Sequence, residues 1–173
     1  MFAVYCEVAA RTGLSSRDSE GGIFVAHYID DKCIGCTACV TVCPTEAISG
    51  ERKALHYIDP KLCIDCDACV RSCPVLAIAD EFGVYKPRIP KRVDWPKPVV
   101  DPVSCSGCDF CIEICPFDCL ELAGEGQFFG TAVLTKPNAC VGCKECEEVC
   151  AKGAIIVMAP NELHPIAAAE GRA

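Results

Sequence analysis

Apolar residues never run far along this chain. The longest apolar runs, such as Ile23–Ala26 and Ala154–Ala159, suit short strands. None approaches the roughly 20 residues of a membrane-spanning helix, so direct membrane insertion is not expected. Ile23-Phe-Val-Ala-His-Tyr-Ile29 reads as a strand. From there a pattern of strand, loop, short helix and strand recurs four times. Its closing segments are Pro44-Thr-Glu-Ala47-Ile48, Pro74-Val-Leu-Ala77-Ile78, Pro116-Phe-Asp-Cys119-Leu120 and Ala151-Lys-Gly-Ala154-Ile155. Its approaches repeat too, as Asp59-Pro60-Lys61 and Asp101-Pro102-Val103, with Lys136-Pro137-Asn138 a weaker echo. Between the third and fourth copies, Leu120–Leu134 reads as a hairpin turning at Gly124-Glu-Gly126. Such repetition predicts an α+β architecture of short strands and short helices.

Each copy encloses a cysteine run with gaps of two, two and three residues. The runs are Cys33, Cys36, Cys39, Cys43; Cys63, Cys66, Cys69, Cys73; Cys105, Cys108, Cys111, Cys115; and Cys140, Cys143, Cys146, Cys150. Proline follows the first three, and Ala151 replaces it in the fourth. Three thiolates so spaced can wrap one face of an iron–sulfur cube, with backbone N–H groups pointing at its sulfides. The fourth lies beyond a turn of helix, aimed away and free to ligate a neighbouring cluster. Two other readings of 18 cysteines in 173 residues are weaker. A disulfide scaffold belongs to exported chains, and Met1–Val8 shows no basic, apolar or twin-arginine leader, so a reducing cytoplasmic location is expected. Structural zinc uses CxxC pairs with a longer spacer and needs no third and fourth cysteine.

The gaps between runs group them. Nineteen residues separate Cys43 from Cys63 and 24 separate Cys115 from Cys140, against 31 between Cys73 and Cys105. The long gap holds Pro87, Pro90, Pro96, Pro98 and Pro102, a composition that makes an extended spacer. The expected organisation is an N-terminal arm (1–22), a two-run half (23–80), a Pro-rich basic linker (81–100), a second two-run half (101–158) and a tail (159–173). Lys86, Arg88, Lys91, Arg92 and Lys97 in the linker suggest a cationic strap across acidic halves. Cys6 has no motif around it. Cys119 falls where the other copies carry alanine, and reads as a small side chain beneath a cluster. Gly35, Gly107 and Gly142, each before a second cysteine, are expected at positive φ. Asp65 takes that place in the second run, where its carboxylate is expected to lower one cluster's potential.

The formal charge of −8 falls to about −16 once four oxidised [4Fe–4S] sites, each carrying −2 with its thiolates, are added. That excludes nucleic acid as a partner and suits steering toward a basic patch on a redox partner. His27, His56 and His164 stand in no Cys/His or Ser/His constellation, and Gly124–Gly130 is a poor nucleotide loop. The radical-SAM spacing is absent. Each run is complete, leaving no iron open to substrate, so catalysis by the chain itself is not expected.

From Cys33 to Cys150 the sequence resembles the four-cluster members of the bacterial-type ferredoxin (polyferredoxin) family. The resemblance implies tandem ferredoxin-like halves, each a pseudo-twofold pair of [4Fe–4S] repeats. In two-cluster ferredoxins the fourth cysteine of each run serves the other cluster. Carried over, cluster one takes Cys33, Cys36, Cys39 and Cys73, and cluster two takes Cys63, Cys66, Cys69 and Cys43. Cluster three takes Cys105, Cys108, Cys111 and Cys150, and cluster four takes Cys140, Cys143, Cys146 and Cys115. A nested pairing, first run with fourth and second with third, is the alternative. In size and layout the chain further resembles the electron-transfer subunit of multi-subunit tungsten-dependent aldehyde oxidoreductases. That implies a catalytic tungsten or molybdenum pterin subunit and a flavin subunit as partners. A freely diffusing polyferredoxin is the other reading, and end-to-end self-association is a further expectation of the tandem layout.

Overall fold

The structure is a computed structural model that describes residues 26–123 and 130–161. It forms two compact units, divided between Arg88 and Ile89.

In the first unit the elements are very short. They are β1 (Tyr28–Ile29), a 3-10 turn (Val40–Val42), β2 (Ile48–Ser49), β3 (Tyr57–Ile58), α1 (Ala68–Ser72) and β4 (Ile78–Ala79). β1 pairs antiparallel with β4, placing Ile29 opposite Ile78, and β2 pairs antiparallel with β3, placing Ile48 opposite Ile58. The approach to each cysteine run therefore pairs with the strand that closes the other run. The expected strand over Ile23–Ile29 is shorter than its sequence suggests: among described residues it spans Tyr28–Ile29, and 23–25 lie outside them. Two residues of ladder suffice because the chain turns at once into the cysteine loop, where Asp30 accepts the Lys32 N–H at 3.0 Å.

The second unit repeats this order with longer ladders. It contains a 3-10 turn (Arg92–Asp94), β5 (Lys97–Val100), α2 (Phe110–Glu113), β6 (Leu120–Ala123), β7 (Thr131–Leu134), α3 (Glu145–Glu148) and β8 (Ile155–Met158). β5 pairs with β8 and β6 with β7, both antiparallel. The β6–β7 pairing matches the expected hairpin, whose turn at Gly124–Gly126 lies outside the described residues. β5 lies within the stretch expected to be linker, because its Val99 and Val100 find ladder partners in Ile156 and Ile155. Three of the five linker cations bind locally. Lys86 pairs with Asp67 at 2.9 Å, while Arg92 and Lys97 donate to the carbonyls of Ala139 and Cys140. The chain's one tryptophan, Trp95, is buried; its indole N–H donates to Ile89 O at 2.7 Å and Arg92 stacks over its ring.

Each unit has its own small core, and cysteines are part of both. In the first, Ile48, Ile58, Val70, Ala77 and Ile78 pack with Cys39, Cys69 and Cys73; in the second, Leu120, Ala132, Ile155 and Val157 pack with Cys111 and Cys146. Domains of this size bury a modest fraction of their apolar surface and are marginal on that account. This is an α+β, ferredoxin-like arrangement of short strands and helices.

Candidate metal centres

Three local features recur in all four cysteine loops and explain their shape. The residue before the second cysteine has positive φ: Gly35 at 62°, Asp65 at 54°, Gly107 at 63° and Gly142 at 67°. So does the residue after it, Thr37, Asp67, Asp109 or Lys144. A third lies two residues before the closing strand, as Glu46, Leu76, Asp118 or Gly153. Left-handed backbone costs about 1–2 kcal/mol for a residue with a Cβ, and most of these positions carry one. The cost is met because such turns form the N–H-lined concavities that hold anions. The expectation for the three glycines and Asp65 is met; the other two positions carry no consistent residue type, so nothing in the sequence marked them.

The fourth cysteine of every run accepts a backbone N–H from four residues on. The amide nitrogens of Ala47, Ala77 and Ala154 each lie 3.3 Å from Cys43, Cys73 and Cys150 Sγ, and that of Cys119 lies 3.4 Å from Cys115 Sγ. These are the positions where the repeats carry a small residue, buried in every case. The approach is equally uniform. The N–H groups of Asp30, Asp59, Asp101 and Thr135 donate to the carbonyls of Ala77, Ala47, Ala154 and Cys119.

Together these loops line four cavities. Cys33, Cys36, Cys39 and Cys73 line one, and Cys43, Cys63, Cys66 and Cys69 the next. Cys105, Cys108, Cys111 and Cys150 line the third; Cys115, Cys140, Cys143 and Cys146 line the fourth. Cys119 lines the fourth cavity as a fifth thiol, with burial pushing it up to about 12. Cys6 lies outside the described residues.

The donor set fits a cluster better than a single ion. Among the described residues no three Cys, His, Asp or Glu side chains converge on a point that one metal ion could fill. All 17 described cysteines are free thiols, so no disulfide competes. The third cysteine of each run is buried, and burial, reinforced by neighbouring thiols, pushes Cys39 up to about 11, Cys146 to about 12, and Cys69 and Cys111 upward as well. A metal bound by these thiols would have to displace their protons. Cys63, the first cysteine of its run, shifts the other way: burial pushes it up, but the neighbouring His27 and backbone N–H groups outweigh that and lower it.

His27 and His56, which sequence reasoning left without a role, both line cavities. His56 is 1% exposed; its Nδ1 lies 3.1 Å from Ala54 O and 3.9 Å from Cys33 Sγ. His27 is also buried. Its Nε2 lies 2.8 Å from Asp67 Oδ1 and its Nδ1 2.6 Å from Asp65 Oδ1, the latter an ion-pair contact without the alignment of a hydrogen bond. Burial opposes charge on this ring, yet Asp67, Cys63 and Asp65 outweigh it and raise His27 to about 9. Burial also pushes Asp67 up, but His27 and Lys86 overcome it and hold the carboxyl at about 2. The Asp65 carboxylate, expected from the sequence to lower one cluster's potential, is faced by the His27 imidazole.

The family model of the 4Fe–4S dicluster domain matches residues 62–119 and 104–154, together more than half of the chain, and a second 4Fe–4S dicluster model matches residues 25–79. The chain belongs to the 4Fe–4S dicluster family. It is a bacterial-type, multi-cluster, ferredoxin-like protein of electron transport. Among curated relatives, a subunit of the ion-translocating oxidoreductase complex of Magnetococcus marinus is 45% identical over 58 residues, 32% of either protein. The corresponding subunit of Vibrio vulnificus is 47% identical over 45 residues, 25% of this chain and 23% of the relative. That of Pasteurella multocida is 53% identical over 36 residues, 21% and 18%. The matches thus span about a third or less of these relatives. The solved formate dehydrogenase–heterodisulfide reductase–formylmethanofuran dehydrogenase complex of Methanospirillum hungatei contains a chain with 24% identity. That likeness covers 75% of this chain and 53% of that one, with a TM-score of 0.32. Among the described residues no helix is long and apolar enough to cross a membrane.

Proposed function

We propose that the chain carries four [4Fe–4S] clusters and relays single electrons within a larger oxidoreductase complex. One observation carries this reading: four cavities, each lined by three cysteines of one run and the fourth cysteine of its neighbour. On it, cluster one is held by Cys33, Cys36, Cys39 and Cys73, and cluster two by Cys63, Cys66, Cys69 and Cys43. Cluster three is held by Cys105, Cys108, Cys111 and Cys150, and cluster four by Cys140, Cys143, Cys146 and Cys115. The exchange of fourth cysteines ties the two repeats of each half into a pseudo-twofold pair. The clusters supply reversible one-electron chemistry; the chain's own residues hold them, exclude water and set their electrostatics.

A full thiol set per cluster leaves no iron site for substrate, so the chain is a conductor rather than a catalyst. Several relatives are named as subunits of an oxidoreductase complex, which supports a partnered role over free diffusion. The partners proposed are a tungsten or molybdenum pterin subunit and a flavin subunit, in the cytoplasm. Anaerobic purification of the tagged chain from its native cells, followed by native mass and metal analysis, tests this. Co-purification with pterin and flavin subunits is the expected result. A lone chain with about sixteen irons would make it a diffusing polyferredoxin, and a zinc-loaded chain would overturn the reading.

A further inference from the structure

The four cavities differ at one structurally equivalent position. Two residues before the last residue of each approach strand stand His27, His56, Pro98 and Ala132. Each lines the cavity whose first cysteine belongs to the neighbouring run. His56 reaches the Cys33 site and His27 the Cys63 site, while Ala132 reaches the Cys105 site and Pro98 the Cys140 site. Both cavities of the N-terminal unit thus present an imidazole where those of the C-terminal unit present hydrocarbon.

The imidazoles are built in. Ala54 O is an acceptor, so His56 Nδ1 carries a proton, and that N–H also lies within reach of the Cys33 sulfur. Among the described residues His56 Nε2 is buried with no hydrogen-bond partner. The charges nearby favour this difference only in part, since Lys152 lines the third cavity, Lys144 the fourth, and Lys97 donates to Cys140 O. Arg71, buried, donates to Cys66 O at 3.0 Å beside the second site, whereas the equivalent helix positions of the C-terminal unit carry Glu113 and Glu148. The two carboxylates that would oppose this, Asp65 and Asp67, are engaged by His27, and Asp67 also by Lys86. Hydrogen bonds to cluster sulfurs and local charge are among the levers that set a cluster's potential.

We propose that His27 and His56 hold the two clusters of the N-terminal half at higher potential than the two of the C-terminal half, so that electrons settle on the N-terminal pair. Neither histidine is a ligand; both act on the ligands and sulfides beside them. The proposal rests on the four-cluster reading above, and iron content tests that reading separately.

The test is an EPR-monitored redox titration of the intact, cluster-loaded chain at one fixed pH, with iron content measured on every sample. The wild type should show two midpoints above the other two. His56→Leu should lower one midpoint of the upper pair and leave the rest in place, and His56→Gln, which keeps an N–H, should return part of the shift. Pro98→His should raise one midpoint of the lower pair. Four unseparated wild-type midpoints, or a fully loaded His56→Leu protein with unmoved midpoints, would overturn the proposal. Should His56→Leu lose iron, Pro98→His decides in its place, and an unmoved lower pair there is equally fatal. A chain that loads other than about sixteen irons would instead count against the four-cluster reading.

Discussion

Gly35→Ala should break the first cysteine loop, and Gly153→Ala provides its control. Both glycines have nearly the same left-handed backbone, φ +62° and +59°, so each alanine incurs about 1–2 kcal/mol of strain. Their surroundings differ. A Cβ on Gly153 would meet nothing within 4 Å. A Cβ on Gly35 would lie 2.4 Å from Ala54 N and 2.5 Å from both Ala54 O and Lys53 N, all backbone atoms that have no rotamer to change. Relief requires moving residues 53–54, which breaks the 2.9 Å bond from Lys53 N–H to Gly35 O, a loss of about 1 kcal/mol. It also pulls Ala54 O from His56. The sum for Gly35→Ala is about 2–4 kcal/mol, against about 1–2 for Gly153→Ala. The assay is anaerobic bleaching of cluster absorbance in guanidinium. With tenfold per 1.36 kcal/mol, bleaching should accelerate by at most about 30- to 1,000-fold for Gly35→Ala and about 5- to 30-fold for Gly153→Ala. Each acceleration should be confined to about half the amplitude, since the two units have separate cores. Equal acceleration in the two variants, or acceleration of the whole amplitude by Gly35→Ala, would refute the reasoning.

Other outcomes follow from the same geometry. Cys73→Ser and Cys33→Ser should be strongly non-additive in iron content, because both line one cavity, whereas Cys73→Ser and Cys105→Ser should add; the reverse would favour nested pairing. Removing iron by acid and chelator should collapse hydrogen-exchange protection in both units, because cysteines form part of each core. Retained protection in the apo chain would contradict this. Burial pushes Asp30 up, but Lys32 and the Tyr85 hydroxyl, 2.9 Å away, outweigh it and hold the carboxyl below its ordinary range. A depressed carboxylate stabilises above its unfolded pKa of about 3.9 and loses that contribution as pH falls through the folded value. Tyr85→Phe should therefore speed amide exchange over residues 80–85 at pH 7, and the difference from wild type should fade below about pH 4.

The sequence alone determined the cofactor chemistry and the modular plan. Four complete cysteine runs specify iron–sulfur loops because the spacing itself sets which thiols can share a face, and the small residue four positions on is legible as a close approach. The glycines at 35, 107 and 142 were legible for the same reason: their backbone conformation leaves a residue-type trace. The gaps between runs had already pointed to tandem pairs, and the tertiary structure displays them as the linings of four cavities. Spacing favoured tandem pairs but left the nested alternative open, because which fourth cysteine lines which cavity depends on β1 pairing with β4 and β2 with β3. The histidines show the limit most clearly. His27 and His56 lie six and seven residues before their own runs, and strand exchange carries each to the other run's cavity. Proximity made by such long-range pairing leaves no local periodicity in the sequence. For that reason the difference between the two halves becomes visible only in the folded chain.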